Sequence, residues 1–422
     1  MAGNRSKSWL AIVGPGMLTA ATGVGAGDLA TGAFSGSKLG LAVLWVVIVG
    51  AAMKFVLTEG LARWQLVTGD TLLEGVIKHG GLAVYYVFLI YLFVWSYFVG
   101  AALMSAAGIA VHALLPLFSP NTDKIVYGIA QSLVAVVLIR RGGFAMFGKL
   151  MAVLIAIMFI AVLISAIAIA PEWPALVSGL VPTIPDSDGE GLQWTLALMG
   201  GIGGTMTILC YGYWIAEEQR TDARDLGVCR IDLCVAYSLT AIFGLCMVLL
   251  GSRIVVEGKG AQLLVQLGNQ LDAELGTIGP AVRWIFLIGA WAAIFSSLLG
   301  VWQSVPYLFA DAVRIGRKLD ARETQSAVDT KSRDYRIFLY CLATVPAIGM
   351  TVSFEFAQKA FAIVGAFFLP LLALALICLN GSSRWIGKER SNGWLTNIVL
   401  IATLLFFVGT LVLKVFNVLR VS

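Results

Sequence analysis

Long apolar runs divided by short polar stretches occupy almost the whole chain. They lie near 9–36, 41–66, 83–111, 124–140, 148–170, 193–216, 230–250, 281–308, 335–352, 360–380 and 393–416, which predicts eleven helical spans. Many of these runs reach roughly 18 residues, enough for a helix to cross a bilayer. The second run carries Lys54, Glu59 and Arg63, and the ninth is short and ends in a polar stretch. The stretch 171–192, rich in Pro and Gly, reads as an ordered external loop leading into the sixth run.

Two runs are interrupted by glycine. The first contains Thr22-Gly23-Val24-Gly25-Ala26-Gly27-Asp28, three glycines and a carboxylate at mid-span. The sixth contains Gly200-Gly201-Ile202-Gly203-Gly204-Thr205-Met206-Thr207. Each glycine costs a helix interior about 1 kcal/mol relative to Ala, and a carboxylate inside a membrane costs more. Both stretches are therefore expected to unwind, around 22–27 and 201–207, and to meet near the membrane midplane. A glycine-interrupted helix opening each group of five spans is the pattern of an inverted repeat with a binding site between the halves. Tight helix packing through small residues is the competing explanation for the same glycines.

Composition agrees with a membrane setting. Of 422 residues, 59% are hydrophobic and 13% charged, against about 25% charged in soluble domains; the mean hydropathy is +0.89. The net charge of +5 is explained by basic loops rather than by nucleic acid. Placing the N-terminus in the cytoplasm puts Lys78, Arg140, Arg141, Lys149, Arg220, Arg224, Arg230, the cluster from Arg314 to Arg336, and Arg384, Lys388 and Arg390 inside. The C-terminus then lies outside, and a multi-pass inner-membrane location is expected. Six cysteines stand apart with no CxxC pair, and read as small buried side chains. No P-loop, GxSxG or HExxH motif occurs, so neither an enzyme nor a cofactor is expected.

Asp28 is the leading candidate for a substrate or coupling-ion ligand; its alternative role is to cap a half-helix beginning at Leu29. Thr22, Gly25, Ala26, Gly204 and Thr207 are the other candidates, as hydroxyls or freed carbonyls at the two breaks, with Thr205 nearby. Glu59 and Arg63, one helical turn apart, read as an ion pair near the inner end or as part of a vestibule. Glu217 and Glu218 close the sixth run and would line the inner mouth. His79 and His112 are placed in loops without partners, which leaves Asp28 as the midplane titratable group.

The segment from Gly14 to Gly40, with Thr22-Gly23-Val24-Gly25-Ala26-Gly27-Asp28 and Gly36-Ser37-Lys38-Leu39-Gly40, resembles the start of the Nramp metal-ion transporters. The similarity continues through Leu44-Trp45-Val46-Val47, Gly179-Leu180-Val181-Pro182, Gly203-Gly204-Thr205, Phe295-Ser296-Ser297 and Leu369-Pro370. The resemblance implies an all-α polytopic membrane protein of the LeuT-type fold, with two inverted five-helix repeats and an eleventh helix. A single transporter domain over 1–420 would divide into about 9–170, 193–380 and 393–416.

The family's metal-binding residues do not carry over. Its Asp position holds Gly25 and its Asn position Asp28; its Met position holds Thr207; its helix-ten Gln position holds Ala362. The third run has no carboxylate, where the family has an acidic proton relay. Oxygen ligands in place of a soft sulfur suit a hard cation. The expected function is a secondary transporter moving a divalent cation, Mg²⁺ or Mn²⁺, without strict proton coupling, and acting as a monomer among membrane lipids. The alternatives are a transporter of the same fold for another small solute, and a non-transporting membrane protein.

Overall fold

The computed structural model describes residues 14–169, 173–185, 190–256, 260–320 and 330–421; the side chains of Ala26, of 318–320 and of 411–421 lie outside that set. The expected loop 171–192 is therefore described only in part.

Apolar runs become helices because a helix pairs its own backbone groups, which lipid cannot do. The first run forms α1 (Gly14–Gly23), a π-helical stretch Val24–Thr31, and α2 (Gly32–Leu39). Gly40, at φ 65°, ends it. Next come α3 (Leu44–Thr68), α4 (Leu72–Leu114) and α5 (Pro120–Ala168). Thr71 caps α4 by accepting from the Glu74 amide, and Ser119 with Pro120 starts α5. Gly81, at φ 77°, bends α4 near its start, and Gly143, at φ 63°, divides α5 into two helices. That division falls between the fourth and fifth apolar runs.

After the short α6 (Trp173–Ser178), the sixth run forms α7 (Gly191–Gly201), a non-helical gap, a 3₁₀ turn Met206–Leu209, and α8 (Cys210–Glu217). Then follow α9 (Leu226–Gly251), α10 (Leu263–Glu274) and α11 (Gly279–Asp320). The last part comprises α12 (Arg333–Thr344), α13 (Phe354–Ala366), α14 (Phe368–Asn380), α15 (Ser383–Ile386) and α16 (Trp394–Val421). Among the described residues, seven helical stretches are long and apolar enough to cross a membrane.

The interior is held by α11 against α4 and α5, by α9 against α2 and α3, and by α13 against α7. The π-helical stretch touches α7, α9, α11 and α13, so it lies at the centre of the bundle. The outer surface is also apolar. Leu82, Tyr86, Ile90, Phe93 and Val94 on α4, and Leu395, Ile398, Ile401 and Leu405 on α16, are exposed at helical spacing. Such a belt matches lipid and makes this a multi-pass membrane protein.

Two expectations fail here. The first run does not unwind: it stays helical through 22–27 and widens to a π-helix from Val24. The three glycines serve close approach to neighbouring segments, and a wider helix meets that need without losing its backbone bonds. His112 is also not a loop residue. It lies in the last turn of α4, buried, with Nδ1 2.6 Å from Asp123 Oδ2. His79 lies within α4, against Trp385.

Candidate functional site

Of the two glycine-rich runs, the sixth alone is broken in its backbone among the described residues. Ile202 leaves the helix at ψ 125°, and Thr205 sits at φ −125°, ψ −102°. Gly203 and Gly204 lie between them at φ 70° and 84°, where a side chain would be strained. The broken segment faces the first run at close range. A Cβ at Gly23 would fall 2.8 Å from the Gly203 carbonyl carbon, and one at Gly27 would fall 2.5 Å from the Gly201 oxygen. The two glycine-rich stretches therefore meet, as expected, although only one is unwound.

Asp28 is fully buried. Its Oδ1 accepts the Gly203 amide at 2.8 Å, while Oδ2 has no hydrogen-bond partner among the described residues. Asp28 does not cap the helix that follows it, and its carboxylate instead crosses to the broken segment. A buried carboxylate oxygen without a partner is costly in a membrane interior.

The compensating charge comes from α3. Lys54, also fully buried, extends its ammonium into the gap. Nζ donates to the Gly200 carbonyl at 2.7 Å and to the carbonyls of Ile202 and Gly204. An ammonium has three donors, and all three are spent on carbonyls that the break has released. None remains for Asp28, which explains why Oδ2 stays open. Asp28 takes the N–H between these carbonyls and Lys54 takes the carbonyls themselves, so the two charges hold one strained loop from opposite sides. Asp28 is thus not the sole charge at the centre. Sequence reasoning grouped Lys54 with Glu59 and Arg63 and missed its role. The signal was present: Lys54 is a single charge inside Val46-Val47-Ile48-Val49-Gly50-Ala51-Ala52-Met53-Lys54-Phe55-Val56-Leu57, and a lone ionisable residue in such a run marks function.

Further groups fix the first run. Ser297 on α11 accepts the Gly25 amide at 2.6 Å and donates to the Ala21 carbonyl at 3.0 Å. Thr22 donates to Leu18 O at 2.6 Å, and Trp95 donates from Nε1 to Thr205 Oγ1 at 2.9 Å. Thr22, Gly23, Gly27, Gly204, Thr205 and Thr207 border a cavity of about 10 Å³, closed elsewhere by Trp95, Val99, Leu103, Val301 and Phe361. That is near the least volume that holds one water, so the centre is occluded. Of the six central candidates, Thr22, Gly204 and Thr207 border this cavity; Asp28 reaches the same broken loop through the Gly203 amide, Gly25 faces Ser297 instead, and the side chain of Ala26 lies outside the described set.

The remaining candidates lie apart from the centre. Glu217 lines a vestibule of about 410 Å³ with Gln65, Thr71, Tyr213, Tyr307, Asp311 and Arg314, among others. It accepts from Tyr307, whose ring stacks on Tyr213 with centroids 5.4 Å apart. Tyr213 and Thr71 both donate to Asp311 Oδ2, at 2.8 and 2.9 Å. Glu218 is exposed beside this vestibule without lining it. Glu59 and Arg63, 3.3 Å apart, face a separate cleft of about 500 Å³, where Arg230 donates to Glu59 at 2.8 Å. Among the described residues no group of three or more His, Cys, Asp or Glu side chains forms a metal-ligand cluster. What the centre offers is oxygen: backbone carbonyls, hydroxyls and one carboxylate.

A membrane-embedded helical bundle with a broken helix at its heart is the architecture of LeuT-type and Nramp-type transporters. The family profile described as "Natural resistance-associated macrophage protein-like" matches residues 16–417, and the chain belongs to this Nramp family. The divalent metal cation transporter MntH of Chromohalobacter salexigens is 28% identical over 257 residues, covering 57% of this chain and 54% of that relative. That alignment thus spans about half the relative's length. MntH of Mycobacterium tuberculosis is 22% identical over 422 aligned positions, covering 93% of this chain and 90% of the relative. A crystal structure of the Eremococcus coleocola manganese transporter, in complex with an aromatic bis-isothiourea substituted compound, superposes with a TM-score of 0.75 at 17% identity, covering 97% of this chain and 87% of that one. MhsT in complex with L-phenylalanine superposes at 0.53 and 15% identity, covering 95% and 98%.

Proposed function

We propose that this protein is a secondary transporter of a divalent cation, Mg²⁺ or Mn²⁺, and that the cation passes between the first helix and the broken sixth run. The observation that carries this reading is Asp28: a fully buried carboxylate with one oxygen open, set against backbone carbonyls freed by an interrupted helix. The relatives named as divalent metal cation transporters support the cargo class. An all-oxygen set with Thr207 in place of a sulfur ligand favours hard cations over soft ones. A largely hydrated Mg²⁺ needs few protein ligands, and the centre must open from its occluded form to admit it.

The wider reading is that eleven crossings form two inverted five-helix repeats, about 9–170 and 193–380, with an extra helix at about 393–416. In this reading one domain over 1–420 lies in the inner membrane as a monomer, with its N-terminus cytoplasmic and its C-terminus external. Asp28, Thr22, Gly25, Ala26, Gly204 and Thr207 line the cargo site. Glu59, Arg63, Glu217 and Glu218 belong to the mouths on the basic side.

Transport proceeds without strict proton coupling. No carboxylate lies in α4 beyond Glu74, and His112 is engaged by Asp123 at a helix end. A driven proton needs titratable stations at short spacing through the interior. One observation favours a second reading: Lys54 already balances Asp28, which leaves a nearly neutral centre suited to an uncharged solute.

The test is uptake into liposomes that hold a cation dye and a pH dye, under an imposed membrane potential, for the wild type and Asp28→Asn. Potential-driven Mn²⁺ or Mg²⁺ entry without stoichiometric acidification, lost in Asp28→Asn, supports the proposal. Acidification in step with entry overturns the uncoupled mechanism. Unchanged uptake in the variant removes Asp28 from the site and favours the neutral solute.

A further inference from the structure

The interior of this bundle already holds a lysine amino group among backbone oxygens. Three carbonyl oxygens, of Gly200, Ile202 and Gly204, converge on one point, and that point is occupied by the Lys54 ammonium. The convergence requires the left-handed backbone at Gly203 and Gly204 and the departure of Ile202 from the helix. On the other side of the loop, Asp28 presents an oxygen with no partner among the described residues. Several carbonyls around a point, with a carboxylate across the loop to balance charge, are the kind of oxygen donors that proteins use for a free hard cation. Here the occupant is tethered to α3 by its own side chain.

We infer that Lys54 is a built-in counter-cation, that a free metal cation competes with its ammonium for the carbonyls of 200–204, and that Asp28 balances the charge of whichever is present. The inference rests on the central break being the cargo site. It accounts for a step that an uncoupled carrier must make. With no cargo aboard, Asp28 alone would leave an unbalanced charge in the membrane interior, and the ammonium removes that charge without a proton or a second ion. On cargo entry the ammonium must leave, because a dication and an ammonium sharing these oxygens would repel each other at short range. Lys54 thereby sets an upper limit on how tightly the wild type holds a cation.

The experiment uses the purified full chain in detergent, in choline chloride, with thermal unfolding followed as NaCl, LiCl, MgCl₂ or MnCl₂ is added. Lys54→Met removes the ammonium and keeps a long side chain. The expected result is that at least one cation raises the unfolding midpoint of Lys54→Met at a half-saturating concentration tenfold or more below that of the wild type. Lys54→Met combined with Asp28→Asn loses the response. A folded, monodisperse Lys54→Met that no cation stabilises overturns the inference, as does one that responds at the wild-type concentration. If Lys54→Met is recovered only when a cation is present throughout purification, the inference is upheld, because a free ion has replaced the tethered one. Lys54→Gln serves as a second variant, and failure of both to fold in every salt counts against the inference. Stabilisation by Na⁺ or Li⁺ alone supports the tethered cation and contradicts divalent cargo. Mn²⁺ uptake by the wild type with equal cation affinity in Lys54→Met does the reverse.

Discussion

The two glycine-rich stretches look alike in sequence and behave differently in space. The first, around Gly23, Gly25 and Gly27, keeps its helical path and carries the charge of the centre, Asp28. The second, around Gly203 and Gly204, gives up its helical path and carries no charge of its own. Its glycines stand at positive φ, whereas the glycines of the first remove side chains so that another backbone can approach. One stretch provides a smooth wall and a carboxylate, and the other provides an amide and carbonyls released from the helix, which the Lys54 side chain takes up. Neither makes a site without the other, and the charge balance comes from a third element, α3.

Substitutions that strike one stretch and spare the other sharpen this contrast. The largest effect is expected from Asp28→Asn. The amide oxygen can still accept from Gly203, but the Lys54 ammonium loses its counter-charge. Breaking a buried pair in this way costs about 3–5 kcal/mol, to be read as a lower unfolding midpoint, and Mn²⁺ or Mg²⁺ uptake should fall by about tenfold or more, as expected when a charged contact of ~1.5–3 kcal/mol is lost.

Gly27→Ala and Gly203→Ala come next and should fail for different reasons. At Gly27 the new methyl meets the Gly201 oxygen at 2.5 Å, so the two stretches must separate, at about 1–3 kcal/mol. At Gly203 the strain is in the backbone, about 1–2 kcal/mol for a left-handed residue, with the Tyr237 ring 2.9 Å from the added atom. Unfolding midpoints of both variants test this. Equal stability of either variant with the wild type removes the reason given for that glycine.

The smallest effect lies at the periphery. The Lys359 ammonium, 2.8 Å from Glu190, holds the Glu190 carboxyl below its ordinary 4.5. Its contribution is present above about that pH and is lost as pH falls through the lowered value. Because Glu190 is 41% exposed, the contribution stays below about 1 kcal/mol. The gap in unfolding midpoint between the wild type and Glu190→Gln at pH 7 should close on acidification below 4.5; a gap that widens contradicts the pairing.

The apolar runs made the membrane class legible, because length and hydropathy alone separate a bilayer-crossing helix from a soluble one. The meeting of the two glycine-rich stretches was legible for a similar reason: glycine and a carboxylate at mid-span need a polar cavity to face. Which stretch would unwind was not legible. A glycine permits both close approach and positive φ, and only the packing against Ser297, Gly201 and Tyr237 decides between them. Lys54 was hidden by its neighbours in sequence. Glu59 and Arg63 share α3 with it and do form an ion pair, but the Lys54 ammonium turns toward the gap in the sixth run rather than toward either of them. His112 was misplaced because its partner, Asp123, lies across a turn that no spacing rule reveals.

The central claim is that Asp28 and Lys54 form one charge-balanced unit around the broken segment. A double-mutant cycle tests it most directly, with unfolding free energies measured in cation-free choline chloride for the wild type, Asp28→Asn, Lys54→Met and the double variant. Each single change leaves a buried charge uncompensated and the double change leaves none. The double variant should therefore be more stable than the sum of the single losses predicts, with a coupling energy of about 1–3 kcal/mol. Single losses that add to within about 0.5 kcal/mol would contradict the account, because the carboxylate and the ammonium would then be independent of each other.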